Sequence, residues 1–333
     1  MTPRELMFNT LEFKHSGRIP RQMWALPISE INYPKERAEL YEKYPSDISG
    51  PPTYRSQESK TVGVAHLPGE YIDTWGCVFE NIHTGVVGEV KNPIVTDWSD
   101  TSRVHFPRED FTIDKKKINE FCKDPEYFMV ANCVGRPFER LQFIRGTENL
   151  YIDIALEDPQ MLAFAKKVHE HYLEEFSLWV DTDVDAIFFM DDWGSQKSLL
   201  IDPKQWRKIF KPFYKDYCDL AKSRGKKIFM HSDGYILDIY PDLIEIGVDA
   251  VNSQIFCMGL DNLAQFKGKI TFWGEIDRQH LLVDGTHEEI ANAVRDVYNK
   301  LYDNGGIIAQ CEFGAGATPD RVDTVFSTWN SIQ

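Results

Sequence analysis

The hydrophobic pattern of the chain repeats one arrangement, in which a short apolar run ends at polar residues and an amphipathic segment follows. Residues 186–189 form such a run, and after Met190 come Asp191, Asp192 and Trp193. The same pattern recurs in runs 127–131 before Asn132 and Cys133, 227–230 before His231 and Asp233, 248–251 before Asn252, 270–274 before Glu275 and Asp277, and 307–310 before Cys311 and Glu312. Short apolar runs alternating with helices are typical of parallel β/α units.

The segments between these runs carry apolar residues at helical spacing. Residues 158–179 begin with Asp158 and Pro159 and repeat apolar positions every three or four residues, and Thr286 with Glu289 forms a capping box before another such segment. We therefore predict an α/β fold, a single distorted (β/α)8 TIM-type barrel forming one domain over residues 1–333. Residues 23–28 would form the first strand and 44–60 a loop. The site of such a barrel lies at the carboxyl ends of its strands.

Residues 75–91 depart from the strand–helix alternation. Apolar and polar residues alternate on both sides of Thr84 and Gly85, which favours a β-hairpin with its turn at that pair. We expect this hairpin to be an excursion from the barrel wall that folds over one rim.

The charge and the cysteine pattern narrow the class of protein. The net charge of −15 argues against nucleic acid or an anionic membrane as the main partner. Six scattered cysteines without a CxxC pair do not form a disulfide framework, and the first residues contain no apolar signal segment. We expect a soluble cytoplasmic protein, with a homodimer among its expected assemblies.

The strand ends bring metal-ligand types together. His231, Glu275 and Cys311 follow different strands but would meet at one barrel mouth, where nitrogen, oxygen and sulfur donors suit Zn²⁺. Asp233 is a reserve ligand. The alternative is that His231 bonds a neighbouring loop and Cys311 is an ordinary buried thiol.

The adjacent carboxylates Asp191 and Asp192 are candidate catalytic residues. Either could act as a general acid or base or orient a substrate, and either could instead cap the loop that follows the strand. Trp24, Trp193 and Trp273 lie at strand ends or in loops, and with Asn252 they are candidates for binding a flat substrate.

Several of these motifs resemble those of the uroporphyrinogen decarboxylase superfamily. The resemblance covers nearly the whole chain and is strongest after residue 155. It rests on the segments Asp191-Asp192-Trp193-Gly194, Lys211-Pro212-Phe213-Tyr214, His231-Ser232-Asp233-Gly234, 243–252 and Trp273-Gly274-Glu275-Ile276-Asp277. The superfamily fold is a distorted β/α barrel, as the pattern of apolar runs predicts.

Two branches of the superfamily differ in residues that can be compared with this chain. True uroporphyrinogen decarboxylases are similar to one another in an Arg-rich segment with Gly-Arg-Tyr, whereas this chain has only Arg18 and Arg21 there. Zinc-dependent, corrinoid-linked methyltransferases hold zinc through a His-x-Cys pair and a distant Cys. His231 and Cys311 match two of these positions, while Asp233 replaces the middle Cys.

The resemblance implies a corrinoid-dependent methyltransferase of the O-demethylase type. It would move a methyl group from a small methoxylated aromatic substrate to Co(I) of a separate corrinoid protein, with Zn²⁺ polarising the leaving oxygen. A decarboxylase acting on a carboxylated ring is the first alternative. A non-catalytic protein that binds a small ligand is the second.

Overall fold

The computed structural model describes residues 1–14, 17–123, 126–131 and 135–332. Its strands are β1 Arg21–Ala25, β2 Ile48–Ser49, β3 Gly69–Ile72, β4 Val78–Asn81, β5 Phe128–Met129, β6 Ala186–Met190, β7 Lys227–Ser232, β8 Ala250–Ser253, β9 Thr271–Phe272 and β10 Ala309–Phe313. Its α-helices are α1 Pro3–Leu11, α2 Pro27–Asn32, α3 Pro34–Lys43, α4 Lys115–Cys122, α5 Pro137–Arg145, α6 Thr147–Ala155, α7 Pro159–Trp179, α8 Pro203–Ile209, α9 Lys211–Ser223, α10 Tyr240–Ile246, α11 Ile255–Met258, α12 Leu260–Leu263, α13 Leu281–Asp284, α14 His287–Leu301 and α15 Pro319–Ser331.

In the described part of the chain, eight strands form a parallel barrel wall. Strands β6, β7, β8 and β9 pair in sequence, β2 pairs with β5, and β1 pairs with β10, all parallel. Parallel bridges from Val130 to Ala186 and from Glu275 to Gln310 join these groups. The backbone N–H of Asp47 donates to the carbonyl of Arg21 at 2.9 Å and links β2 to β1. The predicted (β/α)8 barrel is confirmed.

The period of two along each strand divides the core into two layers. Inward residues such as Phe188, Phe229 and Trp273 form an inner core, which α1 covers at the amino end of the strands with Met7 and Leu11. Outward residues pack against the helices and form an outer core that includes Ile187, Met230, Val251, Phe272 and Cys311. Which layer receives a side chain therefore follows from its place in this alternation.

The excursion between β2 and β5 contains an antiparallel ladder. Strand β3 pairs with β4 from Gly69↔Asn81 to Ile72↔Val78, and an antiparallel bridge joins Glu80 to Glu89. The predicted hairpin turn near residue 85 lies within that bridge, but the longer ladder is formed by β3, which the sequence reading did not identify.

Other boundaries differ in ways that the chain explains. Strand β2 lies within 44–60, the range predicted as a loop, because a two-residue strand between Pro45 and Pro51 carries no detectable period. Helices α8 and α9 are separated at Phe210, since Pro212 has no backbone N–H to donate to the preceding turn. Asn132 and Cys133 lie outside the described residues, and the single-domain organisation stays a prediction.

Candidate metal site at the barrel mouth

The loops after β6 and β7 are joined to each other by their backbones. The N–H of Gly194 donates to the carbonyl of Asp233 at 3.0 Å, and the N–H of Asp233 donates to Asp192 Oδ1 at 2.9 Å. A Cβ on Gly194 would meet the backbone of Gly234 and Tyr235, and one on Gly234, which has φ +75°, would meet the backbone of Gly194. The two glycines therefore allow the close approach that brings Asp192 beside Asp233.

Gly234→Ala is expected to lower the free energy of unfolding by about 2–4 kcal/mol, because a left-handed backbone angle and a backbone clash act together. Gly225→Ala is the matched control: Gly225 has φ +69° but no atom within 4 Å of its would-be Cβ, so about 1 kcal/mol is expected. Urea unfolding measures both. Equal losses in the two variants would show that the loop contact does not constrain the site.

Asp192, His231 and Asp233 form what we call the donor group. Among the described residues, one ligand atom from each of these three lies within 4.8 Å of the others. His231 Nε2 is 3.4 Å from Asp192 Oδ1 and 3.6 Å from Asp233 Oδ1. Asp233 Oδ1 is buried and has no hydrogen-bond partner in the described part of the chain. One nitrogen and two carboxylate oxygens facing one point fit a divalent cation such as Zn²⁺.

Asn252 fixes the orientation of the His231 ring. The Asn252 amide donates through Nδ2 to the carbonyl of Trp273 at 2.6 Å, so its Oδ1 is the atom that faces His231 Nδ1 at 2.6 Å. Nδ1 must then carry hydrogen, which leaves Nε2 as the atom turned toward the carboxylates. Metal-bound histidines are commonly held in this way through their other nitrogen.

The electrostatics of the donor group also match a cation site. Burial alone would lower the pKa of His231, but Asp192, Asp233 and Glu275 raise it to about 9. Burial would raise the pKa of Asp192, yet the ring N–H and charge of His231 bring it below its usual range. The two carboxylates thus attract positive charge at His231 Nε2, and a metal there would displace its proton.

Arg278 ties three carboxylates together next to the donor group. Its guanidinium pairs with Asp233 Oδ2, lies 3.2 Å from Glu275 Oε2 through Nε, and lies 2.5 Å from Glu312 Oε1 through Nη1. Burial raises the pKa of Glu275 to about 8. Because Arg278 engages Oδ2 of Asp233, Oδ1 is left to face His231.

The group that the structure assembles differs from the predicted ligand set. It contains His231 and the reserve ligand Asp233, but it does not include Glu275 or Cys311. Cys311 is fully buried in the outer core, where burial raises the pKa of its thiol, while the neighbouring Glu312 points inward to Arg278. The alternation along β10 explains the difference: residues 310 and 312 face the barrel interior, and 311 faces the helices.

Asp191 and Asp192 lie on opposite faces of the same strand end. The Asp191 carboxylate accepts hydrogen bonds from the backbone N–H of Phe138 and Glu139 at 2.9 and 2.8 Å, at the amino end of α5. It also accepts one from the Tyr214 hydroxyl at 2.7 Å. Burial raises the pKa of Asp191. Asp191 thus anchors a helix, and Asp192 is the one that reaches the donor group.

The tryptophans predicted to bind substrate also lie on two different faces of the barrel wall. Trp24 and Trp273 face inward, with ring centroids 5.1 Å apart, and the Trp24 ring is 5.3 Å from that of His231. Trp193 is fully buried in the outer core, stacked 3.9 Å from Phe138. The structure therefore places Trp24 beside the donor group and Trp193 away from it.

A cleft lies between the barrel and the excursion. It has a volume of about 540 Å³, with Arg136, Glu139 and Arg140 on the barrel side and Tyr71 and Phe79 on the excursion. Burial raises the pKa of Glu139, and the charges of Asp192 and His231 act on the same carboxyl. The charge of Asp192 therefore acts on a carboxyl that lines the cleft.

Some residues near the donor group were not predicted from the sequence, although their spacing along the chain indicates their positions. Arg278 lies three residues after Glu275, on the same side of the loop that follows β9, and Glu312 occupies an inward position of β10. Arg136 and Glu139 come after β5 and residues 132–134 in the sequence. That stretch has no apolar period from which their positions could be predicted.

Glu175, which lines the cleft, makes the free energy of unfolding depend on pH. Burial raises its pKa to about 7, although Arg55 lies 3.5 Å away and opposes the shift. The carboxyl therefore stabilises the fold most below about pH 4.5, and that contribution falls as pH rises through 7. Glu175→Gln should remove this dependence, so the variant should gain about 2–3 kcal/mol over wild type between pH 5 and 8 in urea unfolding. If the free energy of unfolding changed with pH in the same way in both proteins, this role of Glu175 would be contradicted.

A barrel with carboxylate and imidazole donors at its carboxyl mouth defines the class of this protein. The sequence model of the uroporphyrinogen decarboxylase (URO-D) family matches residues 76–330, and the chain belongs to this family. No curated protein matches the sequence. Among the described helices, none combines the length and apolarity needed to cross a bilayer.

Of two solved structures compared with this chain, one shares its fold. A methyltransferase from Methanosarcina mazei has a TM-score of 0.67 and 11% sequence identity, over 99% of this chain and 99% of its own. A D-psicose 3-epimerase, solved in the presence of D-fructose, has a TM-score of 0.35 and 12% identity over 66% of this chain and 81% of its own. The first likeness shows the fold, and the second is too low to show a shared one.

Proposed function

We propose that the chain is a methyltransferase that moves a methyl group from a small methoxylated aromatic compound to the Co(I) of a separate corrinoid protein. The donor group carries the proposal: His231 Nε2, Asp192 Oδ1 and Asp233 Oδ1 face one another at the mouth of the barrel. Membership in the URO-D family supports an enzyme, and the fold shared with a methyltransferase agrees with this class.

Zn²⁺ held by Asp192, His231 and Asp233 would supply a Lewis acid for the ether oxygen of the substrate. In the overall reaction the CH₃–O bond breaks, a CH₃–Co bond forms with the electron pair of Co(I), and cobalt becomes Co(III). The leaving oxygen takes up one proton, so the products are a hydroxyl compound and the methylated corrinoid.

The residues around the donor group prepare it for this reaction. Asn252 keeps His231 Nε2 directed at the site, and Arg278 fixes Asp233 so that Oδ1 remains free to bind. Trp24 covers the His231 ring from inside the barrel and excludes water from that side. We assign the orienting role to Asp192 and treat Asp191 as a positioning residue, since its oxygens hold α5.

A porphyrinogen decarboxylase is disfavoured by the positions of two arginines. Arg18 pairs with Asp47 at 2.8 Å, and Arg21 begins β1 and binds Asn330 Oδ1 at 2.7 Å. Both lie at the amino end of the barrel strand, opposite the mouth that holds the donor group. They are therefore badly placed to bind the carboxylates of a substrate at that mouth.

The decisive assay combines the zinc-loaded protein, a Co(I) corrinoid protein and a panel of methoxylated aromatics, and follows the cobalt absorbance. Metal-dependent formation of methyl-Co(III) is the expected result. The absence of methylation across the panel, together with release of CO₂ from a porphyrinogen, would establish the decarboxylase instead. Ligand binding without either reaction would favour a non-catalytic binding protein.

A further inference from the structure

Arg136 lies where the cleft meets the mouth of the barrel. Its side chain lines the cleft, and its Nη2 donates a hydrogen bond to Met190 Sδ at 3.0 Å. Met190 ends β6 and faces inward, because Ala186 and Phe188 of the same strand belong to the inner core. In the register of β6 and β7, Met190 is paired with His231. Neighbouring strands are about 4.8 Å apart, so a small molecule can contact both the Arg136 guanidinium and the donor group.

The Arg136 guanidinium has few partners of its own. Among the residues that the structure describes, its side chain donates only to the Met190 thioether, which is a weak acceptor. Glu139 Oε1 lies 3.8 Å from Nη1, too far for a hydrogen bond, and burial raises the pKa of Glu139, which reduces the negative charge beside Arg136. The Arg136 side chain is 31% exposed, so a ligand can reach its remaining N–H groups.

The other two arginines of the cleft lining are held by carboxylates. Arg140 forms an ion pair with Asp73 through Nη1. Arg55 donates Nε to a backbone carbonyl at 3.3 Å and Nη2 to Glu175 Oε1 at 3.5 Å. Of these three cations, Arg136 is therefore the one best able to bind an added anion, and it is also the one that contacts the barrel mouth.

Resting on the proposed function, we infer that Arg136 binds a carboxylate of the methyl donor, so that the substrate is a methoxylated aromatic acid. A guanidinium offers paired N–H groups that match the two oxygens of a carboxylate. The ring of the substrate would lie between Arg136 and the donor group, with the methoxy oxygen directed at Asp192, His231 and Asp233. Arg136 would thus select the substrate and set the orientation of its methyl group.

Calorimetric binding to the full-length protein tests this role. The probe is 3-methoxybenzoate, and 3-methoxybenzyl alcohol is the uncharged control ligand. Wild type should bind the acid about 10–100-fold more tightly than the alcohol, and Arg136→Gln should remove this preference by weakening the acid alone. Arg136→Lys, which restores the charge without the paired donors, should recover part of the loss.

Arg55→Gln is the matched control variant, because Arg55 lines the same cleft but is engaged by Glu175. It should change binding of the acid by less than about twofold. Titrations with and without zinc should both show the preference of wild type for the acid. A preference that survives in Arg136→Gln and disappears without zinc would show that the carboxylate binds the ion instead, and would overturn the inference. An equal loss in Arg55→Gln would also overturn it.

The role of Arg136 and the proposed reaction fail in different ways. If the acid is preferred but Co(I) is never methylated from it, Arg136 stands as a carboxylate-binding residue and the proposed methyl transfer fails. If the acid and the alcohol methylate Co(I) with equal kcat/KM, the methyl transfer stands and the inference about Arg136 fails.

Discussion

His231→Gln is expected to yield protein without stoichiometric metal, whereas Cys311→Ala should retain a full equivalent. His231 supplies the nitrogen of the donor group, and Cys311 points into the outer core. Asn252→Ala, which frees the His231 ring but keeps every ligand, should lower metal affinity by about 10–100-fold. Elemental analysis of protein purified without chelator, followed by zinc titration against a competing chelator, measures all three variants.

The pair His231→Gln and Cys311→Ala distinguishes two ligand sets directly. Loss of metal from Cys311→Ala, with the fold intact by circular dichroism, would return the thiol to the site and contradict the placement of residue 311 on the outer face. Full metal content in His231→Gln would show that the donor group does not hold the ion.

Arg278→Met should lower the free energy of unfolding of the metal-free protein by about 3–5 kcal/mol at pH 8. Asp233, Glu275 and Glu312 lose their shared cation, and the last two are 1% and 6% exposed. Burial raises the pKa of Glu275 and Arg278 opposes this shift, so without Arg278 the pKa of Glu275 should rise further. The free energy lost is then recovered as pH falls and Glu275 becomes protonated, so the loss should shrink at pH 5. Urea unfolding at both pH values measures the effect.

Arg108→Met provides the matched control for Arg278→Met. Arg108 pairs with Glu174 at 2.6 and 2.8 Å, but both side chains are largely exposed. Exposed pairs contribute about 0–1 kcal/mol, so this variant should lose little at either pH. A similar small loss in Arg278→Met would mean that the three carboxylates are solvated or neutral, and that Arg278 does not position Asp233.

The barrel could be predicted because its strands are buried and its helices are amphipathic. Residues 186–190 and 228–230 are continuous apolar runs followed by polar residues, and α7 begins and ends where its period predicts. Strand β2 has two residues and β3 alternates weakly, so neither has a period that sequence alone reveals.

Site residues could be predicted from the sequence only where the alternation of inward and outward side chains along a strand was counted. His231 and Asp233 were identified because they follow an apolar run, and both belong to the donor group. Cys311 was chosen for its chemistry, although counting along β10 assigns the inward position to Glu312. Trp193 and Asp191 were also proposed without counting which face of the barrel wall each side chain would occupy. Arg278 lies in a loop, where no periodic pattern indicates its position.

X-ray absorption at the zinc edge tests the central claim most directly, because it reports the atoms bound to the ion. Zinc held by Asp192, His231 and Asp233 should show nitrogen and oxygen neighbours at about 2.0–2.2 Å and no sulfur. A sulfur neighbour at about 2.3 Å, lost in Cys311→Ala, would contradict the donor group that the structure defines.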